Sequence, residues 1–126
     1  MSEMISSAKA PKAVGPYSHA VRANGFIFCS GQIGIDPATN MLVEGIEKQT
    51  RQALHNLKAV LADAGSSLEQ VTKTTVYLAA IEDYAAMNKV YATFFHDHKP
   101  ARAAFAVANL PLGALVEIEC IAVHKS

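Results

Sequence analysis

Between Ile46 and Ala64 the apolar residues Ala53, Leu54, Leu57, Val60, Leu61 and Ala64 return at steps of three and four, while Arg51, His55, Lys58 and Asp63 fall elsewhere. That period places one apolar stripe along an α-helix. Gly65 supplies a natural C-terminal stop. A second stripe, Tyr84, Met87, Asn88, Tyr91, Phe94 and Phe95, predicts a helix from Asp83, a good N-cap residue, to His96. Val71–Leu78 is rich in β-branched residues and reads as a strand. Asn24-Gly25 separates Tyr17–Arg22 from Phe26–Ile33 and tolerates the positive φ angles of a tight hairpin, so these two runs read as paired strands. A short strand is expected around Met41–Val43, and Ala101–Val107 and Leu115–His124 complete the set. The expected order is β-β-(β)-α-β-α-β-β, an α+β fold with two helices packed on one face of a mixed sheet. No further helix remains for the opposite face. An uncovered apolar sheet normally marks an interface, so a homo-oligomer is expected.

The chain has 126 residues, of which 51% are apolar, enough for one core and one domain spanning residues 1–126. Eleven basic residues balance eleven acidic ones and no basic run occurs, which argues against a general binder of nucleic acid or membrane surfaces. Residues 1–13 lack the charged start and apolar block of a signal peptide. Apolar stretches reach only about ten residues, against roughly 20 for a bilayer span. The expected setting is soluble and cytoplasmic. Cys29 and Cys120 each sit in an apolar, strand-like run and are expected to be reduced, buried thiols. Without a CxxC pair, neither a zinc site nor a redox motif is supported.

Pro100-Ala101-Arg102-Ala103-Ala104-Phe105-Ala106-Val107 is the most informative segment. Alternation in a strand groups Arg102 with Ala104 and Ala106 and turns Ala103, Phe105 and Val107 the other way. Small neighbours leave space beside the guanidinium, and a half-buried cation needs an anionic partner. That partner is either an internal carboxylate or the carboxylate of a ligand held by two parallel hydrogen bonds. Val116-Glu117-Ile118-Glu119 offers internal candidates: Glu117 and Glu119 share a face, and either could face solvent or handle a water in a cleft. Gly31 and Gly34 read as a strand bulge or as points of close backbone approach. Tyr17 reads as a half-buried strand aromatic. Asn88, on an apolar stripe, requires hydrogen-bond partners. His96 and His98 read as a solvated helix end rather than a metal site. His19, His55 and His124 form no triad with a serine and an aspartate.

Ala13-Val14-Gly15-Pro16-Tyr17-Ser18, Ser30-Gly31-Gln32-Ile33, Lys73-Thr74-Thr75-Val76-Tyr77-Leu78, Tyr84-Ala85-Ala86-Met87-Asn88, Pro100-Ala101-Arg102 and Val116-Glu117-Ile118-Glu119 together resemble the YjgF/RidA family of enamine and imine deaminases. The resemblance covers nearly the whole chain, in order. It implies a chorismate-mutase-like α+β fold and a homotrimer with a cleft at each subunit interface; with no metal or cofactor motif in the sequence, no cofactor is expected. It also implies hydrolysis of 2-aminoacrylate and 2-aminocrotonate, or their imine tautomers, to 2-oxo acids and ammonia. Such reactive by-products are released by pyridoxal-phosphate enzymes. By the same resemblance Arg102 grips the substrate carboxylate, and the backbone of Gly31 and Ala104 meets the reacting end. Tyr17, Ser30 and Asn88 line the cleft, and Glu117 rather than Glu119 positions the attacking water. Many members carry a cysteine where this chain has Ala104, so a thiol mechanism is excluded here. Competing expectations are a regulatory module that binds 2-oxo acids without turnover, and a ribonuclease or translation inhibitor. A chorismate-type mutase is disfavoured, since only Arg22, Arg51 and Arg102 could serve a dicarboxylate.

Overall fold

The computed structural model of the chain describes residues 2–124. Six strands form one sheet in the order β1-β2-β3-β8-β6-β7, with β1 Glu3–Ile5, β2 Ala20–Ala23, β3 Phe26–Ile33, β6 Val71–Leu78, β7 Ala101–Ala106 and β8 Val116–Val123. Every pairing is antiparallel except that of β6 with β7, whose parallel register demands a crossover. The helix α2 Tyr84–Phe94 makes that crossover, and α1 Ile46–Asp63 links the first half of the sheet to the second. Two short strands, β4 Ile35–Asp36 and β5 Met41–Leu42, pair as a separate ribbon between them. The expected mixed α+β fold, with two helices and a mostly antiparallel sheet, is what the structure contains.

Residues chosen by the sequence pattern do the work expected of them. Asn24 and Gly25 take φ values of 53° and 82° and turn β2 into β3. Gly65, with φ 81°, ends α1: its N–H reaches the Ala62 carbonyl at 3.2 Å and that of Ser66 reaches Leu61 at 2.8 Å, the paired bonds of a Schellman stop. Arg22 donates to the Ala64 carbonyl at 2.9 Å, a cation at the negative end of that helix.

Three expectations need correction. Tyr17 lies outside β2, in the loop before it, and is 51% exposed rather than half-buried in a strand. The edge strand β1 was not foreseen, because three residues show no periodicity. Asp83 stands at the start of α2 but its side chain caps nothing, since the chain arrives through a 3-10 turn at Ile81–Asp83 and Asp83 already has helical dihedrals.

The core lies between the helices and one face of the sheet. Val116, Ile118, Cys120 and Ala122 of β8 alternate inward against Leu54, Leu57 and Leu61 of α1, with Val76 and Leu78 of β6 alongside. The other face has no helix. It presents Phe26, Phe28 and Phe105, each more than 40% exposed, with Tyr77 packed edge-on against Phe105 at 5.4 Å between ring centroids.

Polar residues on α1 tether the irregular strand ends. Asn56 donates to the carbonyls of Ile33 and Ile35 at 3.2 and 2.9 Å. Gln49 donates to the Val43 carbonyl at 3.0 Å and accepts from the Leu115 N–H at 2.8 Å. These bonds hold the end of β3 and the approach to β8, and so fix where Gly31 and Glu117 sit.

Candidate functional site

Arg102 opens onto the helix-covered side of the sheet. Its register partner is Thr74 on β6, which pairs in turn with Cys120 on β8, and all three lie on the face that packs against the helices. The guanidinium donates from Nη1 to Asn88 Oδ1 at 2.7 Å and from Nη2 to the Tyr84 hydroxyl at 2.6 Å. It also stacks over the Tyr91 ring, 4.7 Å from the centroid. The Tyr91 hydroxyl shares a 2.7 Å hydrogen bond with the buried Thr74 hydroxyl, which fixes the ring. Residues 84, 88 and 91 recur on one face of α2 by helical spacing, so about two turns of one helix organise the whole support.

None of those partners is a carboxylate, and no ion pair of Arg102 occurs among the described residues. A guanidinium has five N–H donors. Two are used here, leaving enough for a bidentate grip on a further group. The cavity beside it measures about 310 Å³ and is lined by Asn88, Tyr91, Phe95, Lys99 and Arg102 among others, with two cations and no acidic side chain. Such a hollow suits an anion.

The strand β7 is the outer edge of the sheet. The Val107 N–H bonds inward to the Leu78 carbonyl at 2.9 Å. Counting back by alternation, the N–H groups of Arg102 and Ala104 point off the edge, away from β6. Ala104 itself is small and half-buried against the core.

Glu117 is on the other side. It pairs with Tyr77 on β6 and with Ile33 on β3, all facing away from the helices. An internal Arg102–Glu117 bridge, one of the two pairings open from the sequence, is therefore ruled out by the strand register, and Glu119, on the same face as Glu117, is excluded with it. The Glu117 carboxyl is held above the usual carboxylate range, first by burial and then by the charge of Glu119. It lies directly over Gly31, where a Cβ would come within 2.2 Å of Oε2. Gly31 sits in a β-bulge, the register of β3 shifting between Cys29 and Gln32.

Tyr17, Gly31 and Glu117 share a second cavity of about 470 Å³ with Val14, Ile33 and Leu112. Ser30 supports it from beneath: its hydroxyl donates to the Ser18 carbonyl at 2.6 Å and its N–H to the His19 carbonyl at 2.9 Å, tying the Tyr17 loop to β3. The buried His19 clamps the segment before it. Its Nδ1 accepts from the Ser7 N–H at 2.9 Å and its Nε2 donates to the Pro11 carbonyl at 2.7 Å, so one proton, on Nε2, satisfies both.

The seven expected site residues thus fall into two groups within one chain. Arg102, Asn88 and Ala104 face the helices or the β7 edge, and Tyr17, Ser30, Gly31 and Glu117 gather around the open sheet face. Sequence reasoning missed Tyr84, Tyr91 and Leu112 as site residues. For the two tyrosines the signal was present, because their spacing from Asn88 put them on its face. Cys29 and Cys120 are free and buried, opposite one another on neighbouring strands, as expected of packing residues. His98 reaches the Val71 carbonyl at 2.5 Å and His96 contacts Asp97.

A family model described as Endoribonuclease L-PSP matches residues 7–124. A RutC family protein of Pyrococcus horikoshii is 53% identical, over 97% of this chain and 98% of that protein. A 2-iminobutanoate/2-iminopropanoate deaminase of Mus musculus is 48% identical, over 97% of this chain and 91% of that one. Among solved structures, RidA from an Antarctic Psychrobacter superposes with a TM-score of 0.93 at 44% identity, over 96% and 98% of the two chains.

Proposed function

The chain belongs to the endoribonuclease L-PSP family, the YjgF/RidA family, and from that premise we propose that it hydrolyses short 2-imino acids to 2-oxo acids and ammonia at a site shared between subunits. The substrates in view are 2-aminoacrylate and 2-aminocrotonate with their imine tautomers, short-lived products of pyridoxal-phosphate enzymes. The relatives named as 2-iminobutanoate/2-iminopropanoate deaminases support this reading at nearly half identity. The observation that carries it is the Arg102 guanidinium, braced by neutral partners, beside a hollow with no acidic lining.

In this reading Arg102 holds the substrate carboxylate through two parallel charge-assisted hydrogen bonds, and the outward N–H of Ala104 assists. Glu117 orients a water toward C2 and takes up its proton as the C–O bond forms and the C=N π electrons move to nitrogen. It returns that proton to the nitrogen and then carries the proton of the new C2 hydroxyl to the nitrogen as well, so that the C–N bond breaks as the C=O bond forms and ammonia leaves. A carboxyl already raised toward neutrality is a better proton acceptor than an ordinary one. Gly31 leaves room for that carboxylate and brings its own backbone near the substrate. Because Arg102 and Glu117 lie on opposite faces of one sheet, a complete site takes Arg102 from one copy and Glu117 from another. The uncovered aromatic face provides the surface for that assembly, which we read as a homotrimer.

Release of ammonia from freshly generated 2-iminobutanoate tests the proposal. Glu117→Gln is expected to lose roughly 10²–10⁴ in turnover while still binding 2-oxobutanoate. Arg102→Ala is expected to lose binding of 2-oxobutanoate as well as turnover. Parent-like activity in Arg102→Ala refutes the assignment.

A further inference from the structure

Three residues other than glycine adopt left-handed backbone among those described: Asn24, Asn40 and Leu112. The two asparagines are of a type that tolerates this region, and they sit in turns. Leucine adopts it rarely and at a cost, and Leu112 holds φ 57° and ψ 23° between Pro111 and Gly113. Glycine or asparagine at this position would make the same turn at lower cost. The turn is otherwise well formed, closed by the Ala114 N–H on the Pro111 carbonyl at 3.0 Å. Strain of this kind persists where the side chain has a use. Leu112 is also 74% exposed, so the strained backbone displays an aliphatic group to solvent without any packing in return.

Its position says what the use is. Leu112 lines the cavity that contains Glu117, Gly31 and Tyr17, and with Val14 and Ile33 it supplies aliphatic surface to the same hollow as the carboxylate. A polar reacting end and an apolar surface in one hollow describe a ligand with a charged head and a hydrocarbon tail. We propose that Leu112 is a specificity-determining residue, an apolar lip that selects 2-imino acids with aliphatic tails over those with the shortest tail. This rests on the deaminase reading and adds to it the part of the substrate that the site reads.

The test compares kcat/KM for three freshly generated imino acids with methyl, ethyl and isobutyl tails, in the parent and in Leu112→Gly, Leu112→Asn and Leu112→Met. Gly and Asn keep the turn and remove the lip; Met keeps an apolar reach. The parent is expected to favour the longer tails. In Leu112→Gly and Leu112→Asn the isobutyl-to-methyl ratio is expected to fall roughly ten-fold, mostly through KM, as loss of a small apolar contact does. Leu112→Met is expected to retain the preference. Leu112→Gly is expected to melt no lower than the parent, since its backbone is relieved. An unchanged ratio in Leu112→Gly and Leu112→Asn overturns the lip while leaving the deaminase standing. So does a fall in oligomeric mass, which would make Leu112 a subunit contact. Failure of the parent on all three substrates overturns both.

Discussion

Burial and the neighbouring Glu119 carboxylate both hold the Glu117 carboxyl above the usual carboxylate range, so its ionised form is less stable in the folded chain than in the unfolded one. The folded state therefore binds this proton more readily. Stability linked to Glu117 is fully present below its unfolded value and is lost as pH rises through the raised folded value. Above that raised value the cost of the buried charge is in force. Glu117→Gln removes the charge and keeps the shape, so its melting temperature is expected to exceed the parent's at pH 7. Thermal melts across pH 4 to 7 check this: the gap is expected to narrow toward the acid end, and a Gln variant less stable at pH 7 contradicts it. A residue whose removal stabilises the fold and stops turnover is one kept for chemistry. At this scale the sequence was legible for Arg102, whose small neighbours implied space, and for Asn88, whose place on an apolar stripe implied a partner. It was not legible for Leu112, because nothing in a composition pattern marks a leucine held at positive φ.

Elements were read well where their signal was local. Ile46–Ala64 as a helix needed only its stripe and Gly65, and Val71–Leu78 as a strand needed only its β-branched run; both match the structure to within a residue. The misreadings at Tyr17 and Asp83 have a tertiary cause. The Tyr17 loop is drawn out of line by Ser30 and by the His19 clamp, and Asp83 is met by a 3-10 turn. The approach of β3 to α1 likewise depends on contacts that no local pattern displays. Gly34 and Gly31 lie three residues apart on this approach and should respond differently to one methyl group. A Cβ at Gly34 would stand 2.6 Å from Gln49 Cα, and helix backbone cannot step aside. Gly34→Ala is expected to cost about 1–3 kcal/mol or more, read as a lower denaturation midpoint. A Cβ at Gly31 meets the far end of a flexible side chain, so Glu117 swings away. Gly31→Ala is expected to lose turnover with little loss of stability. Equal destabilisation of the two variants would show that Glu117 is as rigidly held as helix backbone.

Across the whole molecule, strand alternation fixed which residues share a face on each strand, but not which face of one strand matches which face of another. That relation comes from register, and register across β7, β6 and β8 puts Arg102 and Glu117 on opposite sides. The arrangement is economical only if the two meet between copies. The aromatic face carrying Phe26, Phe28 and Phe105 gives such copies a surface to share. The most direct measurement mixes Arg102→Ala and Glu117→Gln, each inactive alone, by unfolding and refolding them together in equal amounts. If each site draws Arg102 from one subunit and Glu117 from the next, about one site in four receives both intact residues. The mixture is then expected to recover about a quarter of the parent's ammonia release from 2-iminobutanoate. A refolded mixture of native oligomeric mass that stays as inactive as its components would contradict a site shared between subunits.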